Sequence, residues 1–131
     1  MPQAIDLVVQ NGASTPVDKT FTLVSPAAGD GAVATWFLKE GSISAVFPRF
    51  TASARKGQSS RLLTLKVSTP ASYTDTVTGL TNVNATAEMN VTFKVPDNFP
   101  EALKSDQVAF ALNLMNTPLV KAMIRDAYGA S

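Results

Sequence analysis

The chain has 131 residues, a formal net charge of +1, and neither cysteine nor histidine. That length suits one domain with its own core, and the missing residue types exclude a disulfide framework, thiolate chemistry, the commonest general base and the commonest metal ligand. With 45% hydrophobic and 16% charged residues the composition is globular and slightly apolar, and no run approaches the roughly 20 apolar residues of a membrane span.

Met1-Pro2-Gln3-Ala4 has neither a charged start nor an apolar core, so no signal peptide is expected. Residues 5–9 are apolar and read as a short strand, and Asn11-Gly12 is a turn signal that predicts a hairpin at the N-terminus. Residues 19–24 alternate Thr20 and Thr22 against Phe21 and Leu23, a second strand. Ser25-Pro26 and Gly29-Asp30-Gly31 form a loop, residues 32–38 a strand around Trp36, and Lys39-Glu40-Gly41-Ser42 a turn.

The most informative stretch follows, at 47–69. Arg49, Thr51, Ser53 and Arg55 alternate with Phe50, Ala52 and Ala54; then Thr64, Lys66 and Ser68 alternate with Leu63, Leu65 and Val67. A period of two marks half-buried strands, and residues 56–60 join them as an antiparallel hairpin. One face is apolar and the other carries hydroxyls and positive charge. Between 41 and 74 there are Arg49, Arg55, Lys56, Arg61 and Lys66, and no acid. Such a face suits phosphate and base contacts; the alternative is an ordinary solvated face.

Pro70 is read as ending the hairpin, and 71–84, rich in Thr, Ser and Asn, as a long exposed loop. Residues 85–95 form a long strand with Thr86, Glu88, Asn90, Thr92 and Lys94 on one face and Ala87, Met89, Val91, Phe93 and Val95 on the other. Pro100 opens a helix to about Met115, with Ser105-Asp106 as a rival start. Thr117-Pro118 reads as an N-cap and first turn, 119–128 as a second helix, and Gly129 as its C-terminal glycine. Strands first and helices last define an α+β protein with helices on one face of an antiparallel sheet. The helices are too apolar for one small sheet to cover, which predicts a partner subunit; a monomer with helices folded back on its own sheet is the alternative.

Enzyme function is not expected. Acidic residues are scattered with no pair at acid–base spacing, the serines have no histidine to activate them, no phosphate-cradling glycine loop follows a strand, and no acidic cluster or cofactor motif supports a metal or cofactor.

The order of these elements, together with Val33-Ala34-Thr35-Trp36 and the spacing of Val91-Thr92-Phe93 to Thr117-Pro118-Leu119, resembles the coat proteins of single-stranded RNA bacteriophages, the levivirus group. The resemblance covers nearly the whole chain and rests on joint order more than on any one motif. It implies a single coat domain over 1–131: an N-terminal hairpin at 1–17, a five-stranded antiparallel sheet within 18–95 with a long loop at 70–84, and two helices within 99–129. It further implies a homodimer whose helices interlock across the partner's sheet. Dimers would assemble into a T=3 icosahedral shell in the cytoplasm of the bacterial host, packaging the single-stranded RNA genome with a maturation protein. The joined sheets would bind an RNA operator hairpin, repressing replicase translation, with unpaired adenines in pockets.

Carried over position by position, the resemblance puts Val33, Thr51, Ser53, Thr64 and Lys66 in the pockets, Arg49 and Arg55 beside them, and Asn90 on the last strand. Arg61 joins these as a phosphate contact from the charge pattern. Two positions depart from the family pattern: Glu88 stands where several members place a stacking tyrosine, and Leu62 where a basic residue is expected. The loop at 71–84 would meet its copies around the symmetry axes, and Trp36, Leu38, Met89, Val91 and Phe93 would be core. The rival reading is a cellular RNA-binding or structural dimer that forms no shell.

Overall fold

A computed structural model of the chain describes residues 3–41 and 43–130. Ser42, the last residue of the predicted turn at 39–42, lies outside them, as do Met1 and Pro2 of the predicted N-terminal hairpin. The chain forms two compact units, Met1–Val95 and Pro96–Ser131.

The first unit is a six-stranded sheet in sequential order: β1 (Leu7–Gln10), β2 (Asp18–Ser25), β3 (Val33–Phe37), β4 (Arg49–Lys56), β5 (Ser60–Thr74) and β6 (Thr81–Pro96). That is one strand more than the expected five. The extra one is β1, which pairs antiparallel with β2, from Leu7 opposite Phe21 to Gln10 opposite Asp18. The N-terminal hairpin therefore does not close within 1–17; residues 11–17 are its loop. Its turn signal holds, because the Asn11 side-chain oxygen accepts from the backbone N–H of Ala13 (3.3 Å) and Val17 (3.0 Å).

The β4–β5 hairpin has the predicted alternation, in a register from Arg49 opposite Ser68 to Lys56 opposite Arg61. The predicted loop at 71–84 is different: β5 runs through Pro70 to Thr74 and β6 starts at Thr81, so only 75–80 is turn. Thr, Val and Tyr favour extended backbone, and proline is compatible with a strand position that needs no N–H donor. Asp75 closes the turn. Its side chain accepts from Val77 N–H (2.7 Å) and Thr78 N–H (3.3 Å), and its own N–H donates to Leu80 O (2.8 Å). Gly79, at φ +70°, supplies the left-handed residue.

The apolar face is built from cross-strand rows, the central one being Leu23, Trp36, Phe50 and Val67. Trp36 anchors it: its ring lies 5.2 Å from that of Phe50, and its indole N–H donates to Ile5 O at 2.7 Å. Among the described residues only Ala34, Trp36 and Val46 are buried apolar positions. Two apolar clefts remain open on this unit, about 500 Å³ beside Ile5, Ala34, Trp36 and Ala54, and about 310 Å³ between Leu7, Val9, Phe21, Phe50 and Val67. Met89, expected in the core, is exposed in the single chain.

The second unit holds α1 (Glu101–Met115) and α2 (Pro118–Asp126). Pro100 is the extended N-cap of α1, so the helix starts there and not at Ser105-Asp106. Thr117 is the N-cap of α2 by position, but its hydroxyl caps nothing; it donates back to Leu114 O at 2.7 Å, stapling the end of α1. α2 ends earlier than predicted, on Ala127 in the left-handed region at φ +58°, and Gly129 plays no part in that end. No residue of either helix is buried, although α1 carries Leu103, Phe110 and Leu114 on one side and Val108 and Leu112 on the other.

Candidate nucleic-acid interface

Because side chains alternate across a strand, the register assigns each predicted residue to a face. Opposite pairs form three rows on the polar face. Val33 faces Ser53, which faces Thr64; Thr35 faces Thr51, which faces Lys66; Phe37 faces Arg49, which faces Ser68. Arg55 extends the line opposite Leu62. Lys66 Nζ reaches Glu88 Oε1 of β6 at 3.3 Å, so Glu88 joins the second row, and Asn90, two residues on, shares its face by parity. Eight of the nine predicted positions (Val33, Arg49, Thr51, Ser53, Arg55, Thr64, Lys66 and Asn90) thus belong to one surface.

Arg61 does not. It pairs with Lys56 in a register that sets Leu63 against Ala54, which places it on the apolar face at the hairpin's end. Its guanidinium lies 3.9 Å from Asp30, whose carboxylate also accepts from Lys56 N–H at 3.1 Å. Local charge density pointed to Arg61; strand parity, read one residue at a time, would have removed it.

The interface also includes residues that the charge pattern passed over: Thr35, Phe37 and Ser68. Phe37 lies beneath the Arg49 guanidinium, 5.3 Å from centroid to Cζ, and meets Phe47 edge-on at 6.3 Å. Its signal was its odd-numbered place on β3, two residues from Thr35 and opposite in face to Trp36. Arg49, Thr51, Lys66, Ser68 and Glu88 enclose a cavity of about 230 Å³. Thr51 and Ser53 are half-buried, while Arg49, Arg55, Thr64 and Asn90 are exposed. The Lys66–Glu88 pair is close to half exposed on both sides, so its mutual attraction is worth little and both groups are available to a ligand. The arrangement offers hydroxyl donors and acceptors, fixed cations and one carboxylate on a β surface. Among the described residues there is no group of acidic side chains able to hold a metal ion, and no helix long and apolar enough to cross a membrane.

An antiparallel meander followed by two helices is a fold shared with viral coat proteins in solved particles. The chain has a TM-score of 0.88 to the virus-like particle of bacteriophage NT-214, at 22% identity over 99% of this chain and 100% of that one. It has a TM-score of 0.83 to the virus-like particle of bacteriophage ESE058, at 20% identity over 99% and 100%. The capsid protein of bacteriophage GA follows at 0.68, with 23% identity over 95% of each chain. No curated protein matches the sequence. The family described as levivirus coat protein matches residues 2–130, and the chain belongs to that family. It is a capsid shell protein, structural in role, that associates with itself and resides in the virion.

Proposed function

We propose that this coat protein is a dimer that closes into a T=3 icosahedral shell in the bacterial cytoplasm, as one functional domain, around a single-stranded RNA genome and a maturation protein. Its polar sheet face holds an RNA operator hairpin and thereby represses replicase translation. The observation that carries the RNA reading is the set of cross-strand rows Val33–Ser53–Thr64 and Thr35–Thr51–Lys66. Five residues predicted for base pockets lie on two adjacent rows of one surface, flanked by Arg49 and Arg55. Arginine and lysine supply salt-dependent phosphate affinity with little sequence choice, and the hydroxyls read the free edges of unpaired bases. Arg61 has no place in this interface.

The dimer reading rests on the exposed α1 and the two open apolar clefts. A helix with large apolar residues on two opposite sides needs more than one apolar neighbour to cover it, and a soluble monomer does not leave such surface to water. Size-exclusion chromatography of the expressed chain, with absorbance at 260 and 280 nm and electron microscopy of the leading peak, tests the whole reading. Uniform particles carrying nucleic acid are expected. A small RNA-free species that forms no particles when RNA is added would overturn it.

A further inference from the structure

The cavity between Arg49, Thr51, Lys66, Ser68 and Glu88 is chemically different from the neighbouring Val33–Ser53–Thr64 row, which has no charged group. At about 230 Å³ it is below the usual range for drug-sized ligands and suits a single small planar group. Its distinguishing feature is a carboxylate beside an ammonium: Glu88 Oε1 lies 3.3 Å from Lys66 Nζ. Glu88 can only accept, on two oxygens, and Lys66 can only donate, through three protons.

Consider what each base presents on its pairing edge. Adenine and cytosine each offer one amino donor next to a ring-nitrogen acceptor. Uracil offers one N–H between two carbonyls. Guanine alone offers two adjacent donors, N1–H and the 2-amino group, followed by the O6 acceptor. Two adjacent donors match both oxygens of Glu88, and O6 matches Lys66. We propose that this cavity is a guanine-selective pocket, with Glu88 and Lys66 reading the pairing edge of one unpaired guanine. The Arg49 guanidinium, held over Phe37 at 5.3 Å, supplies the plane on which the base stacks, since guanidinium planes stack on bases as aromatic rings do. Thr51 and Ser68, whose hydroxyls both donate and accept, complete the lining. A stacking tyrosine at position 88 would give a pocket tolerant of any base; the carboxylate trades stacking for an edge that only guanine complements. The inference rests on the reading of this sheet face as an RNA surface.

The test is fluorescence anisotropy of the full chain with four RNA hairpins, identical except that their unpaired bases are all guanine, all adenine, all cytosine or all inosine, which lacks the 2-amino group. The wild type should bind the guanine hairpin about 5- to 150-fold more tightly than the adenine or cytosine ones, the range for one good bidentate contact, with inosine losing most of that advantage. Glu88→Gln removes one acceptor and one negative charge at an exposed position; it should erase the guanine preference while strengthening binding of the other hairpins. Equal affinity for guanine and adenine hairpins in the wild type, or an intact guanine preference in Glu88→Gln, would overturn the pocket and leave the RNA surface standing. No binding of any hairpin would instead remove the RNA surface, and the pocket with it.

Discussion

At the scale of single residues, the proposed RNA surface divides into groups that would choose a base and groups that would hold phosphate. Thr51 lies mid-row between Thr35 and Lys66, half-buried, where a hydroxyl can meet a base edge. Thr51→Ala should weaken specific hairpin binding by about 1 kcal/mol, the net value of a hydrogen bond, and leave particle yield and affinity for unrelated RNA unchanged; filter binding against the two RNAs measures the split. Arg55 is exposed opposite Leu62, and in the proposed RNA surface it contacts phosphate. Arg55→Ala should weaken all RNAs alike and reduce the slope of log affinity against log salt by about 0.7, one counterion on a single strand; an unchanged slope would mean that the guanidinium makes no phosphate contact. Position-by-position alternation made the face of both residues legible in the sequence, because parity converts directly into a sheet face. Phe37 beneath Arg49 was not legible: a cross-strand stack depends on the β3–β4 register, which one strand's pattern does not contain.

At the scale of elements, the sequence was most readable where one local rule decided the outcome. The β4–β5 alternation and the start of α2 at Pro118 are such cases. It was less readable where two rules competed. Pro70 looked like a stop, but β5 continues through it because the residues beyond favour extended backbone and Asp75 with Gly79 closes a short turn. Gly129 looked like the end of α2, yet the helix ends on Ala127 at φ +58°. An alanine there bears the steric penalty of its Cβ, about 1 kcal/mol relative to glycine. Ala127→Gly should therefore stabilise the helix end by about that much and raise the thermal midpoint of the assembled protein by a few degrees, as read by calorimetry. A lowered midpoint would show that the entropy glycine adds to the unfolded chain outweighs the relief of strain.

At the scale of the whole molecule, the governing fact is how little one chain buries. Three apolar residues are buried among those described, while Leu103, Val108, Phe110, Leu112 and Leu114 remain open on α1. Broad apolar coverage of that helix was legible in the sequence, and so was the need for a partner. The shell geometry was not, since it depends on contacts between copies that no single chain's pattern encodes. Phe110, 64% exposed in the chain, is the sharpest probe. If α1 is enclosed by a second copy, burying a full side chain of this kind contributes on the order of 2–3 kcal/mol per subunit, and an unpaired carboxylate in its place costs several more. Phe110→Asp should then abolish particles in size-exclusion chromatography, whereas Phe110→Leu, which keeps the site apolar, should still assemble with a lower midpoint. The pair of variants separates enclosure from mere exposure. A ring facing solvent in the particle would be replaced by aspartate without loss, and normal particles from Phe110→Asp would place this side of α1 outside the dimer contact.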